Sequence, residues 1–427
     1  MVRGSYRARH MACALVLSVV ACVHCDRKPP PAPAAAAANT ATVPGEQAEA
    51  ATPTDLAPAA TGAGARFDPA QPSAATLAER TAIEQIGEAA VYSAQAEARL
   101  AAALRHPDQD VRGHACWGLG RMAPQTQGQI AALVTALADP IWSVQHNAGW
   151  ALVRFGQPAV PALDAALRDG GPAVRARAAL ALLEIAPDYS ARCEVALLAV
   201  DVTADPQLGG AVLTGLGKLQ QPSEAALERL RQAVAGDQAE AALGAIGALG
   251  AKAASAAPDV AKALESKSKA VRQRAAATAG SLGTVAPVLL DALVVAVSDK
   301  DEHLAAEAAG ALSRLDAVDA LKRVATTAAV PARALAITAA GTAPQWSAAR
   351  LALLMTAAAD EAWQVRLSAV AAFVGRPEST TAPAKAMLKR ALADGNDAVR
   401  DQAKAVLAAP PQPPTAGKGS QGSKGAP

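Results

Sequence analysis

Small and aliphatic residues recur through residues 75–409 at helical spacing, and short polar turns interrupt them at regular intervals. The stretches HPDQDVRGHACWGLG (106–120), DPIWSVQHNAGWALVRFG (139–156), DGGPAVRARAALALL (169–183), DEAWQVRLSAVAAFVG (360–375) and DGNDAVRDQAKAVL (394–407) follow one plan. A turn, usually led by Asp, precedes an aliphatic anchor; Arg often follows it, then a small residue four beyond the anchor, then an apolar one. The anchors are Val111, Val144, Val174, Leu208, Ala241, Val271, Leu304, Ala332, Val365 and Val399, spaced 28 to 34 residues apart. Each interval holds a helix, a turn and a second helix that starts near the anchor. Pro suits the first turn of the leading helix in QPAVPALDAAL (157–167) and VAPVLLDALVVAV (285–297). A single hairpin cannot bury its apolar face, so the units must stack. Ala78, with Gly87 nine residues on, marks an eroded capping unit in front.

This pattern resembles the HEAT repeat, in the short form named after phycobilisome lyases. It is strongest in the first three and last two units and degraded at Leu208, Ala241 and Ala332. The resemblance implies an all-α fold, an α-solenoid of about ten HEAT-type helical hairpins whose second helices line the concave surface. It also implies an Asp–Arg ladder between neighbouring units, suggested by Asp169 and Arg175, Asp360 and Arg366, and Asp394 and Arg400, each six apart. His106–Arg112 and Asp139–Gln145 keep half of that pair.

Composition agrees with tight helix packing. The chain is 52% hydrophobic but only 3% aromatic, so Ala, Leu and Val must fill the core, and no run alternates like a strand. Against that background Trp117 and Trp150 stand out. At about 100° per residue, positions 3, 6 and 10 after the anchor share one flank of the second helix. They are His114, Trp117 and Arg121 in the first unit and Asn147, Trp150 and Arg154 in the second; Arg177 extends the row into the third. At position 6 the other units carry Leu180, Thr214, Gly247, Ala277, Gly310, Thr338, Ala371 and Ala405. Trp beside Arg is the composition of a protein-binding hot spot. A second reading stays open, in which Trp117 and Trp150 pack under residues 75–100 and close the end of the stack. Trp142 and Trp363, each two before an anchor, are expected to plug gaps between units.

The ends read differently. Arg3, Arg7 and Arg9 precede the apolar MACALVLSVV (11–20), which is too short to span a bilayer. VVAC (19–22) resembles the lipobox of bacterial lipoproteins, which implies a signal peptide over 1–21 and lipid on Cys22. Val23 lacks the Asp of inner-membrane retention, and this points to the outer membrane, facing the periplasm. Residues 22–74 and 410–427, rich in Pro, Ala and Gly, are expected to be a disordered tether and tail.

Removing residues 1–21 leaves 37 basic against 38 acidic residues, so electrostatic binding of nucleic acid is not expected. Cys116 and Cys193 fall in different units, too far apart for a disulfide. No H-E-x-x-H, paired-Cys, G-x-S-x-G or P-loop pattern occurs, so neither metal, cofactor nor catalytic residue is expected. The expected role is therefore a non-catalytic, membrane-tethered adaptor for a protein partner. The alternatives are an envelope glycan-binding module using the paired Trp faces and, more remotely, a lyase-type enzyme.

Overall fold

The computed structural model describes residues 73–408, apart from 124 and 202–205. The signal peptide, most of the tether, Cys22 and the C-terminal tail lie outside the described residues. Among the described residues the chain forms 21 α-helices with short 3-10 turns and no strand.

Helices alternate between two rows. The leading helices are α2 (Ala94–Ala103), α4 (Ile130–Ala136), α6 (Val160–Asp169), α8 (Ser190–Leu198), α10 (Glu224–Val234), α12 (Ala257–Ala263), α14 (Pro287–Ala296), α16 (Val318–Thr327), α18 (Ala348–Ala357) and α20 (Ala382–Ala391). The second helices are α1 (Ala74–Ala89), α3 (Gln109–Arg121), α5 (Trp142–Phe155), α7 (Pro172–Ile185), α9 (Pro206–Leu216), α11 (Ala239–Leu249), α13 (Lys269–Ala279), α15 (Glu302–Arg314), α17 (Val330–Thr342), α19 (Trp363–Ala371) and α21 (Asp397–Ala408). Every second helix packs on the next one, and every unit closes leading helix on second helix. The result is an all-α solenoid of ten hairpins, with α1 as an extra second helix ahead of the first.

The anchors do what their spacing requires. Val111, Val144, Leu208, Leu304, Ala332, Val365 and Val399 are buried, and Val174, Ala241 and Val271 are half-buried against the same core. Small residues let the second helices approach closely. At Gly120 an added Cβ would stand 2.8 Å from the Ala151 Cα on the neighbouring helix.

Polar seams accompany this packing, with a connectivity different from the one the six-residue spacing suggests. Arg366 Nη1 donates to the Asp360 main-chain carbonyl at 2.9 Å, and its Nε and Nη2 reach the Asp394 carboxylate at 2.7 and 2.8 Å. Arg112 likewise donates to the His106 carbonyl at 2.8 Å and grips the Asp139 carboxylate at 2.7 and 3.0 Å. The residue six positions back therefore needs only a carbonyl, so His106 serves as well as Asp. The carboxylate rung runs onward to the next unit. Arg80–Asp108 and Arg333–Asp360 are further Arg–Asp rungs of this kind, at 2.8 Å each. Arg175 bonds the Gly170 carbonyl at 2.6 Å, and Asp169 is exposed. Gln145 occupies the Arg position between the second and third units, so no guanidinium reaches Asp169 from there.

Near the far end, Arg350 on α18 is buried and donates to Ser313 Oγ at 3.1 Å, the Ser313 carbonyl at 3.3 Å, the Ala340 carbonyl at 3.0 Å and Asp316 at 2.5 Å. It ties a leading helix to the C-terminal ends of α15 and α17. Beside it Arg376 lies over the Trp346 ring at 5.0 Å, and that ring meets Phe373 edge-on.

Cys116 and Cys193 are free and buried, and burial pushes both thiols up to about 12.

Candidate functional site

The two triplets occupy equivalent places on α3 and α5, and each is built into the seam with the preceding second helix. The Trp117 ring lies over Gly87 of α1, where an added Cβ would come within 2.8 Å of it. The Trp150 ring lies over Gly120 of α3, with the corresponding approach at 2.7 Å. Gly87 and Gly120 thus seat large indoles that a side chain would displace. Both tryptophans are half-buried.

The polar members join the same seams. Asn147 Nδ2 donates to the Gly113 carbonyl at 3.0 Å, and His114 Nε2 lies 3.9 Å from Glu84. The arginines Arg121 and Arg154 are exposed, their guanidinium groups 5.1 and 5.8 Å from the Trp117 and Trp150 ring centres, and Arg121 Nη2 also reaches the Glu88 carbonyl of α1 at 3.4 Å. Each triplet therefore presents a half-buried indole with a cation above it. Arg177 is placed differently. It is only 8% exposed and donates to the Ala173 carbonyl at 3.1 Å and to Gln145 Oε1.

Trp142 does not plug a gap between units. It opens α5, is 56% exposed, and stacks on His146 with ring centres 4.9 Å apart. Positions 142, 146, 150 and 154 are four apart on one helix, so Trp142, His146, Trp150 and Arg154 form a continuous aromatic ridge ending in a cation. Trp363, by contrast, is half-buried against the core.

That ridge walls a groove of about 470 Å³ running over α5, α7 and α9. Leu180 and Ala181 of α7 and Gly210, Ala211 and Thr214 of α9 line it beside Trp142 and Trp150, and Arg177, Glu184 and Lys218 supply its charges. Glu184 and Lys218 form an ion pair across α7 and α9. The groove exists because the residue at position 6 shrinks from Trp150 to Leu180 to Thr214 to Gly247 along consecutive units. Gly210 has nothing within 4 Å of where its Cβ would stand, so that side is open. His146, Gly210 and Lys218 were not singled out from sequence; the falling size at position 6 was the signal available.

Among the described residues no group of three or more His, Cys, Asp or Glu side chains is placed to hold a metal, and no helix is long and apolar enough to cross a membrane.

A family model described as HEAT repeats matches residues 96–184 and 130–200. HEAT repeats are thus present over the units that carry the aromatic ridge, and the fold is a HEAT-type solenoid. Among solved structures, an engineered protein is 17% identical over 77% of this chain and 94% of its own, with a TM-score of 0.38. Kap95p, seen with RanGDP, is 14% identical over 77% of this chain and 54% of its own, with a TM-score of 0.47. A Kap121p mutant is 13% identical over 78% of this chain and 44% of its own, with a TM-score of 0.48. This chain therefore spans about half the length of the Kap proteins it matches. No curated protein matches the sequence.

Proposed function

We propose that the protein is a non-catalytic interaction scaffold that holds a protein partner against its second-helix row, centred on α3, α5 and α7. The aromatic ridge of α5 carries the reading. Trp142 exposes more than half its surface, and no core need is met by stacking it on His146. Large, rigid aromatic area beside Arg is what interface hot spots use, because little side-chain entropy is lost on contact. Arg121 and Arg154, exposed above the indoles, supply charge for an acidic residue of the partner. The Cys22 lipobox and the Pro- and Ala-rich stretch after it support a membrane tether in the cell envelope, outer membrane facing the periplasm. A tether of that kind raises the local concentration of the binding face near partners on the same membrane.

The test is photo-crosslinking in living cells. A benzoylphenylalanine placed at Trp142 is expected to trap a discrete protein adduct, and the same group at Lys322, on the leading-helix row, is expected to trap none. Equal adducts from both positions, or none from Trp142, refute the placement of the binding face. Palmitate labelling that disappears in Cys22→Ala tests the tether separately.

A further inference from the structure

The groove beside the ridge selects the kind of segment that the scaffold holds, an inference that rests on the proposed function. We propose that it takes an amphipathic helix of about three turns, whose apolar, uncharged face lies along α7 between the α5 ridge and α9.

The lining gives the groove its direction. On α7 it consists of Arg177, Leu180, Ala181 and Glu184, spaced as one helical face, and on the α9 side Gly210, Thr214 and Lys218 follow at four-residue steps. On α5 the wall runs from Trp142 to Val153. At about 1.5 Å per residue these stretches extend about 10 to 16 Å, two to three turns, along their helices. The groove therefore follows the helix axes. Its floor is α7, in the middle; the Trp142–His146–Trp150 row is one wall and the small residues of α9 are a low wall opposite. A row of side chains four apart is the ridge that interdigitates when a further helix lies alongside.

Hydrogen bonding selects the occupant's conformation. Arg177 donates to the Ala173 carbonyl and to Gln145 Oε1, and Gln145 Nε2 donates to the Asp139 carbonyl. Thr214 Oγ1 donates to the Gly210 carbonyl at 2.8 Å, Lys218 is paired with Glu184, and the His146 ring is stacked on Trp142. The walls are α-helices, whose main-chain groups bond within each helix. A segment pressed against them finds few partners for its own N–H and C=O groups, and each one buried without a partner costs about 1–3 kcal/mol. An extended chain leaves those groups on both edges. A helix bonds them internally and offers the groove only side chains.

The same bonds set the chemistry of the docked face. A charged side chain brought in would have to displace the Glu184–Lys218 pair or the bonds that hold the buried Arg177. What remains for contact is apolar: Trp142, Trp150, Val153 and Leu180. Apolar residues at i, i+3 or i+4, and i+7 of the docking helix meet that lining. Arg121 and Arg154 stand outside it, so an acidic residue of the partner belongs on the flank of its helix and not on the docked face.

The experiment selects a random library of fourteen-residue displayed peptides on the full chain and measures the winners by fluorescence anisotropy. The winners are expected to carry apolar residues at helical spacing, and a Pro placed centrally on their polar side is expected to weaken binding about ten-fold or more. Gly210 has nothing within 4 Å of where its Cβ would stand, so Gly210→Trp fills the groove without disturbing a seam. Thr214→Arg, at an exposed position of α9, obstructs the same groove and decides the matter if Gly210→Trp fails to fold. Each is expected to reduce affinity about ten-fold or more, whereas Gly395→Trp, equally open but before α21, leaves it unchanged. Winners without helical spacing, winners that tolerate the Pro, or winners indifferent to both groove variants overturn the inference. So does a selection that yields no peptide. In each of those cases the crosslink from position 142 still decides the scaffold reading by itself. Neutral maltohexaose that binds where no peptide does, and is lost in Gly210→Trp, overturns both.

Discussion

Whether Trp150 is a fixed wedge in the α3–α5 seam or a loose aromatic can be decided with one methyl group. Gly120→Ala would place a Cβ 2.7 Å from Trp150 Cζ3 and 2.8 Å from the Ala151 Cα. The indole edge could swing aside, but the Cα is backbone and moves only if α5 moves. Replacing Gly by Ala in a helix contributes about 1 kcal/mol of stability. Forcing an extra carbon into a close-packed seam costs about 1–3 kcal/mol, and here the cost lies toward the upper part of that range because backbone must yield. The net expectation is a loss of about 1–2 kcal/mol. Gly210→Ala is the matched control: its Cβ meets nothing, so only the helix-propensity gain remains, about 1 kcal/mol. The two variants should therefore differ by about 2–3 kcal/mol with opposite signs. Urea unfolding measures both, followed by far-UV circular dichroism for the whole array and, in a Trp346→Phe/Trp363→Phe background, by the fluorescence of Trp117, Trp142 and Trp150 for the α1–α5 end. If Gly120→Ala proves as stable as Gly210→Ala, the seam is not closed as described, and Trp150 is free to leave it.

The polar rungs yield further expectations. The Arg366 guanidinium holds the Asp394 carboxyl below the usual carboxylate range, against the opposing effect of burial. Such a depressed group contributes stability that is present above its unfolded value of about 4 and is lost as pH falls through the folded value. A double-mutant cycle of Arg366→Met and Asp394→Asn should give a coupling of about 1–3 kcal/mol at pH 7, between exposed and fully buried pairs. That coupling should shrink as pH falls below about 4, and one that does not change as the solution is acidified contradicts the assignment. Arg350→Met should cost about 3 kcal/mol, because the Ser313 and Ala340 carbonyls lose their donor in a buried corner; an unchanged urea midpoint refutes it. Cys116 and Cys193, buried and with thiols at about 12, should resist a disulfide reagent in the native state and react only on unfolding. Rapid native labelling of either would show that its seam opens readily.

How much of this was legible in sequence follows from what each feature depends on. The hairpins were legible because Val111, Val144 and their counterparts recur at a period that only stacked helices satisfy. The eroded front unit was legible from Ala78 and Gly87, and Gly87 proves to be the seat of the Trp117 ring. Helical angles located Trp117 and Trp150 on one flank, but angles say nothing about the next helix, so the seating of both rings over glycines was hidden. The same limit hid the burial of Arg177, which depends on Gln145 across the seam. Trp142 was misjudged because its distance from the anchor matched that of Trp363, whereas its neighbour His146 offers a stacking partner that Trp363 lacks. The rungs were misassigned because a six-residue spacing cannot distinguish a carboxylate from a main-chain carbonyl. The groove is a shape left by small residues, Gly210 and Thr214 among them, and a missing side chain leaves only a weak mark in a sequence already full of alanine.

The central claim, that the second-helix row around α3, α5 and α7 is where a protein partner lies, is tested most directly by hydrogen exchange of the full chain with and without the protein trapped by crosslinking at position 142. Protection is expected in Gln109–Arg121, Trp142–Phe155 and Pro172–Ile185, with Val318–Thr327 and Ala348–Ala357 of the leading-helix row unchanged. Protection confined to the leading-helix row, with those three segments unaffected, would contradict it.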